Sequence, residues 1–326
     1  MSIAFLFPGQ GSQFVGMGRD IFERFPEARR RFNEADEILG FSLSAIMFGS
    51  GDETAADAEA AALRQTDVTQ PALLVHSLAA WSIMENRGAT PDMTAGHSLG
   101  EYSALAAAGA LSFEDAVRIA RERGRLMAEI GTDRIGSMAA VLGLEDEAVA
   151  RACTEASDTT GMIVQPANFN SPGQVVVSGD EVAVNEVMVR LKELGAKRVV
   201  SLPVSGAFHS PLMEEARAGL TAALESLPLS TPRCPVYLNV TAAPTSDPEE
   251  IRRRLVEQLT SPVQWTRIME NMHRDGATRY VEVGAGKVLS GLAKRTVGRD
   301  AVTHQAGTSD DFDKLSLESD KDRLWN

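Results

Sequence analysis

The chain has 326 residues, 44% of them hydrophobic and 24% charged, an ordinary globular composition with ample material for a core. Its 32 basic and 45 acidic residues leave a net charge of -13, which argues against general nucleic-acid binding but leaves room for a local basic patch. Cys153 and Cys234 stand in unrelated contexts and build neither a disulfide framework nor a metal cluster, so a reducing cytoplasm is expected.

The N-terminal apolar run Ile3–Phe7 has no basic segment ahead of it and reads as a buried strand, not a signal peptide. No stretch approaches the roughly 18 apolar residues of a membrane span, so no membrane role is expected. A Gly-rich turn, "PGQGSQ", follows the strand, and a helix is predicted around Asp20–Leu39. "TQPALLVHSLAAWSIMENRG" is apolar on nearly every face and predicts a buried helix, with Pro71 in its first turn. "MTAGHSLGEYSALAAAGAL" passes from a short strand through Gly-x-Ser-x-Gly into a helix of small residues. A capping box from Ser112 to Asp115 opens the next helix.

Residues 136–203 have their own rhythm, βαββαβ, which predicts a ferredoxin-like unit. A larger α/β unit resumes at "SGAFHSPLM" with a helix, strand "PVYLNV", two helices across 248–275, strand "RYVEV" and a last helix after "GAGK". The expected organisation is a discontinuous large α/β domain (1–134 and 204–307), an inserted small domain (135–203) and a loosely held polar tail (308–326).

Ser98 of "GHSLG" sits where a strand-to-helix elbow presents a nucleophile, and a serine needs a base. Of the five histidines, His76 reads as a satisfied core residue, and His273 and His304 lie at a charged helix end and near the tail. His97, next to the serine, should point away from it as a wall. His209, in the loop "SGAFHSP", is the base by elimination. Between Ser98 and His209 no acid falls in an obvious loop of the main sheet. A backbone carbonyl or an amide must therefore hold the imidazole.

At 100° per residue, Arg123 falls on the apolar stripe of its helix with Ala116, Ala120, Met127 and Ile130. A guanidinium there must be paired. It serves either a structural ion pair or snorkelling contact, or a carboxylate-bearing substrate, which its planar fork suits. "GQGSQF" lacks the third glycine of a dinucleotide fingerprint, and "GAGKVLSG" lacks the spacer and hydroxyl of a phosphate loop. The first Gly-rich turn can instead offer N–H groups to an oxyanion, together with the N–H of Leu99.

"FPGQGSQFVGMG", "TQPALL", "GHSLGEYSAL", "RERGRLM", "ANFNSPGQVVVSG", "SGAFHSPLM", "SPVQW" and "EVGAGKVLSGL" follow in order. As an ordered set they closely resemble the malonyl-CoA:acyl carrier protein transacylase family across roughly residues 3–296. The resemblance implies a hydrolase-like, mostly parallel sheet core with a ferredoxin-like insertion. It implies Ser98 as the acylated nucleophile, His209 as its base, the N–H groups of Gln10 and Leu99 as the oxyanion hole, and Arg123 as the malonyl carboxylate clamp. Gln258 would come from the segment whose carbonyl orients the histidine. Gln70, His97, Asn168 and Asn170 would line the pocket or the entrance for the pantetheine arm.

The implied reaction is ping-pong transfer of malonyl from malonyl-CoA to an acyl carrier protein for fatty-acid synthesis. No metal or tightly bound cofactor takes part. A cytoplasmic monomer is expected, docking its acidic carrier through Arg29–Arg31, Lys197–Arg198 or Arg252–Arg254. A polyketide-type acyltransferase, a serine esterase or thioesterase, and a non-catalytic docking subunit are the alternatives.

Overall fold

The computed structural model describes residues 2–133, 136–204, 206–298 and 301–322. Two sheets organise it. The larger has the strand order β10-β9-β1-β2-β7-β8, built from β1 (Ser2–Phe7), β2 (Met93–Gly96), β7 (Val236–Tyr237), β8 (Pro244–Thr245), β9 (Ala277–Val283) and β10 (Val302–Ala306). Every pairing is parallel except β7 with β8, and Phe7 stands beside Gly96 at the C-terminal ends of β1 and β2. Strand alternation divides the core between the two faces. Phe5 and Phe7 point into one apolar cluster, and Ala4 and Leu6 into the other.

The first cluster is covered by α1 (Arg19–Arg24), α2 (Pro26–Leu39), α3 (Leu43–Phe48), α4 (Ala56–Arg64), α5 (Thr66–Asn86), α6 (Gly100–Ala107) and α7 (Phe113–Asp133). The single helix expected over 20–39 is two, because Pro26 fits a first turn and leaves Phe25 extended between them. The buried helix is α5, but it starts five residues before Pro71, so the proline is interior and not in the first turn. Pro71 has no N–H for the Asp67 carbonyl, and the Arg121 guanidinium donates to that carbonyl instead. The capping box forms, with the Asp115 N–H donating to Ser112 Oγ at 3.0 Å.

The smaller sheet is antiparallel, with order β4-β5-β3-β6, from β3 (Gly136–Leu142), β4 (Val164–Ser171), β5 (Gln174–Asp180) and β6 (Arg198–Ser201). Helices α8 (Asp146–Thr160) and α9 (Glu181–Glu193) pack on it around a separate core that includes Val149, Val175 and Val187. The expected domain boundary at 134–135 lies outside the described residues, as do residues 323–326.

The chain returns through α10 (Glu214–Glu225), α11 (Pro248–Glu257), α12 (Trp265–Arg274) and α13 (Val288–Val297). The loop after α11 is pinned to the small sheet. The Phe169 N–H donates to the Val263 carbonyl at 2.9 Å, and the Val263 N–H donates to the Ala167 carbonyl at 2.9 Å. The loosely held tail is corrected in its first part. Residues Ser309–Asp322 form α14, Phe312 and Leu315 are buried, and Phe312 meets the Phe25 ring edge-on at 5.4 Å.

Candidate active site

Beyond β2 the chain turns through His97, Ser98 and Leu99 straight into α6. Ser98 takes φ 51°, a left-handed conformation that non-glycine residues rarely adopt, and this presents its hydroxyl at the turn. The elbow is this tight because Gly100 lies against the first strand, where a Cβ would stand 2.0 Å from the Phe7 carbonyl oxygen. Gly9 brings the first turn equally close, where a Cβ would stand 2.2 Å from the His97 carbonyl oxygen. The Ser98 N–H donates to Asn239 Oδ1 at 2.7 Å, and Asn239 Nδ2 donates to the Gly96 carbonyl at 2.7 Å.

His209 Nε2 lies 2.8 Å from Ser98 Oγ, and its Nδ1 lies 2.8 Å from the Gln258 carbonyl oxygen. A carbonyl only accepts, so Nδ1 carries the proton and Nε2 is left to accept from the serine. The carbonyl stands where a triad would place an acid, as the absence of a loop carboxylate required. Burial, with the Arg123 charge adding to it, pushes the imidazole down to about 3. It is therefore neutral and ready to take a proton. Gln165 Nε2 steadies the loop by donating to the His209 carbonyl at 3.0 Å.

Arg123 is only 1% exposed, as its place on the apolar stripe of α7 required. Its Nη1 donates to Gln70 Oε1 at 2.7 Å, and its Nη2 to Gln258 Oε1 at 2.9 Å and Ser98 Oγ at 3.2 Å. These partners are amides and a hydroxyl, so the guanidinium is solvated by neutral groups beside the serine instead of being held in an ion pair. Gln70 departs from expectation. It is fully buried behind Arg123, where it also donates to Met127 Sδ at 3.2 Å, and it does not line the cavity.

Ser98, His209 and Arg123 face a cavity of about 440 Å³ between the strand ends of the large sheet and the small sheet. Gln10, Leu99, His97, Asn168 and Asn170 line it. The His97 Nε2 meets Asn170 Oδ1 at 2.8 Å. His76 is a core histidine with Nε2 2.9 Å from the Gly307 carbonyl oxygen. Among the described residues no group of three or more His, Cys, Asp or Glu could hold a metal ion.

Three site residues escape sequence reasoning. Gln165 is one. Asn239 is a second, and its signal was a polar side chain in the apolar run "VYLNV". Glu101 is the third, an acid in the first turn of a small-residue helix. It is fully buried, and its Oε2 accepts from the Asn239 N–H at 2.9 Å and Gln258 Nε2 at 3.0 Å. Burial pushes its carboxyl up to about 7, while the donors from Asn239 and Gln258 and the Arg123 charge act the other way.

An acyl transferase domain family matches residues 4–309. A malonyl CoA-acyl carrier protein transacylase of Bacillus subtilis is 46% identical over 293 residues, spanning 90% of each chain. The chain belongs to the malonyl-CoA:acyl carrier protein transacylase family of acyl transferases. A solved acyl carrier protein S-malonyltransferase from Vibrio cholerae superposes with a TM-score of 0.89 at 42% identity, covering 97% of this chain and 100% of that one. A malonyl-transacylase structure in complex with a type II polyketide-synthase acyl carrier protein superposes with a TM-score of 0.90 at 39% identity, covering 98% and 100%. The family is one of acyl-group transfer.

Proposed function

We propose that this acyltransferase moves malonyl from malonyl-CoA to the phosphopantetheine thiol of an acyl carrier protein, supplying fatty-acid synthesis. The observation that carries the reading is a buried guanidinium 3.2 Å from the nucleophilic hydroxyl, with no carboxylate among its hydrogen-bond partners. A malonyl group acylated onto Ser98 brings a carboxylate that this cation can hold. An acetyl group leaves the charge without that partner, which is the basis of selection.

The chemistry is ping-pong. Ser98 Oγ attacks the thioester carbon as its proton passes to His209 Nε2, and the N–H groups of Gln10 and Leu99 receive the oxyanion. Collapse of the tetrahedral intermediate breaks the C–S bond, and the proton on His209 leaves with coenzyme A. The carrier thiol then gives its proton to His209 and attacks the ester, and Ser98 Oγ leaves and regains that proton. No cofactor beyond the thioester substrate is needed. His97, Asn168 and Asn170 are read as the wall along which the pantetheine arm enters, and Gln70 as the support of Arg123.

Of the three basic clusters, Lys197–Arg198 is the proposed carrier-docking patch. Arg29 and Arg252 are turned onto backbone carbonyls, and Arg31, Arg253 and Arg254 meet glutamates. Lys197 and Arg198 are exposed at the start of the β6 strand leading to Leu202, Pro203 and Val204 of the cavity wall. The small domain (135–203) is read as a ferredoxin-like insertion into the large one (1–134 and 204–307). The βαββαβ order and the central β5-β3 pair support this. A cytoplasmic monomer is proposed; among the described residues no helix is long and apolar enough to cross a membrane. A polyketide-type carrier is the second reading, favoured by the solved relative in complex with one.

Labelled malonyl-CoA tests the function. The enzyme alone should form a stable acyl-enzyme on Ser98 that only a thiol discharges, whereas steady malonate release would mean hydrolysis. Arg123→Ala should weaken malonyl uptake by roughly 2–5 kcal/mol, with acetyl uptake changed far less. Equal loss with both thioesters would refute the clamp.

A further inference from the structure

Glu101 lies three residues beyond the nucleophile, fully buried and outside the lining of the cavity. No step of the reaction above uses it, yet Ser98, His209 and Arg123 are each reached from it through one intervening residue. Its Oε2 takes the Asn239 N–H, and Asn239 Oδ1 takes the N–H of Ser98. The same Oε2 takes Gln258 Nε2, and Gln258 presents its backbone carbonyl to His209 and its side-chain oxygen to Arg123.

The Gln258 amide has two opposite ends, and which end meets Arg123 matters. A guanidinium only donates, so it can bond the amide oxygen and must repel the amide nitrogen. Every partner at the nitrogen end is an acceptor: Glu101 Oε2 at 3.0 Å and the Ser98 carbonyl at 3.1 Å. We propose that Glu101 is a positioning residue for acyl selection: as a double acceptor it orients the Gln258 amide, so that Oε1 and not Nε2 meets Arg123. A carboxylate suits this place because it never donates, so it holds the amide one way round. It also sets its negative charge one amide away from the guanidinium. That offsets the buried cation without occupying the edge that a substrate carboxylate needs. The inference rests on the malonyl-transfer reading of the site.

The test is the ratio of malonyl to acetyl uptake from the two coenzyme A thioesters, measured per acylatable serine at about pH 8, above the value of about 7 to which burial pushes the Glu101 carboxyl. Glu101→Met removes Oε2, the acceptor of both bonds, while keeping length. The Gln258 amide then has only the Ser98 carbonyl to fix its nitrogen end and turns more readily, and malonyl uptake should fall roughly 10- to 100-fold while acetyl uptake falls less than about 5-fold. Glu101→Gln can still accept both bonds through its amide oxygen. It should keep the wild-type ratio within about 5-fold, although its buried NH2 lowers thermal stability. Equal loss of both thioesters in Glu101→Met would make the residue merely structural and overturn the proposal. Should that variant not fold, Glu101→Gln decides alone: a collapsed ratio there would show that charge and not acceptance carries the effect. A wild-type enzyme that takes no malonyl would defeat the functional reading itself. A wild type that does, with both variants keeping its ratio, defeats only this inference.

Discussion

His209 shows how a single residue is tuned by its surroundings. Exposed, it would titrate near 6.5; here burial and the neighbouring Arg123 hold it down at about 3. Because the folded value lies below the unfolded one, this group favours folding fully above about pH 6.5. That contribution is lost as pH falls toward 3. The expected outcome is that the His209 ring nitrogens, followed by NMR, show no titration between about pH 5 and 8. A midpoint near 6.5 would mean an exposed imidazole and an open site. The histidine itself was reached from sequence by eliminating the other four, and Arg123 by its helical phase. Gln70 was misplaced because a residue number carries no information on whether a side chain lies in front of a guanidinium or behind it. Glu101 was passed over because an acid in a first helical turn ordinarily reads as dipole compensation on a surface.

At the level of elements, the elbow is a meeting of three backbones. The first turn, the β2-to-α6 turn and strand β1 approach so closely that Gly100 has no room for a methyl group. Gly100→Ala must push the Phe7 carbonyl away or move the serine. It is expected to cost roughly 2–5 kcal/mol of stability in urea unfolding. Acylation of Ser98 should fall with it, even in the fraction that remains folded. Unchanged acylation per folded molecule would show that the elbow tolerates repacking. The same scale explains the false phosphate loop. The Glu282 carboxylate already accepts from the Leu289 N–H at 3.0 Å and the Ser290 N–H at 2.8 Å, so the protein's own acid fills the start of α13.

Across the whole molecule, two sheets share one cavity, and α14 closes the core without contributing to the cavity lining. Burying Phe312 against Phe25 ties the end of the described chain to its beginning. Phe312→Ala should destabilise the protein by roughly 3–5 kcal/mol in thermal or urea unfolding. Malonyl transfer per folded molecule should be unchanged, because the residue is absent from the cavity lining. A loss of transfer without a loss of stability would place the tail in the reaction.

The sequence by itself determined the local matters: the alternation of strands and helices, the serine on its glycine-flanked turn, the histidine loop, and the arginine on an apolar stripe. These depend on neighbours within a few residues and on side-chain chemistry. The family resemblance already pointed to a carbonyl from the Gln258 segment in place of the missing acid; the tertiary structure alone decided how Arg123 is held without a carboxylate and how Glu101 and Asn239 support the site. Those answers bring together the Ser98–Glu101 turn, Asn239 and Gln258, three separate stretches that no periodicity links. The physical reason is that hydrogen bonds need donor and acceptor within about 3 Å, and only the packed sheets and the loop pinned to β4 bring those atoms so close.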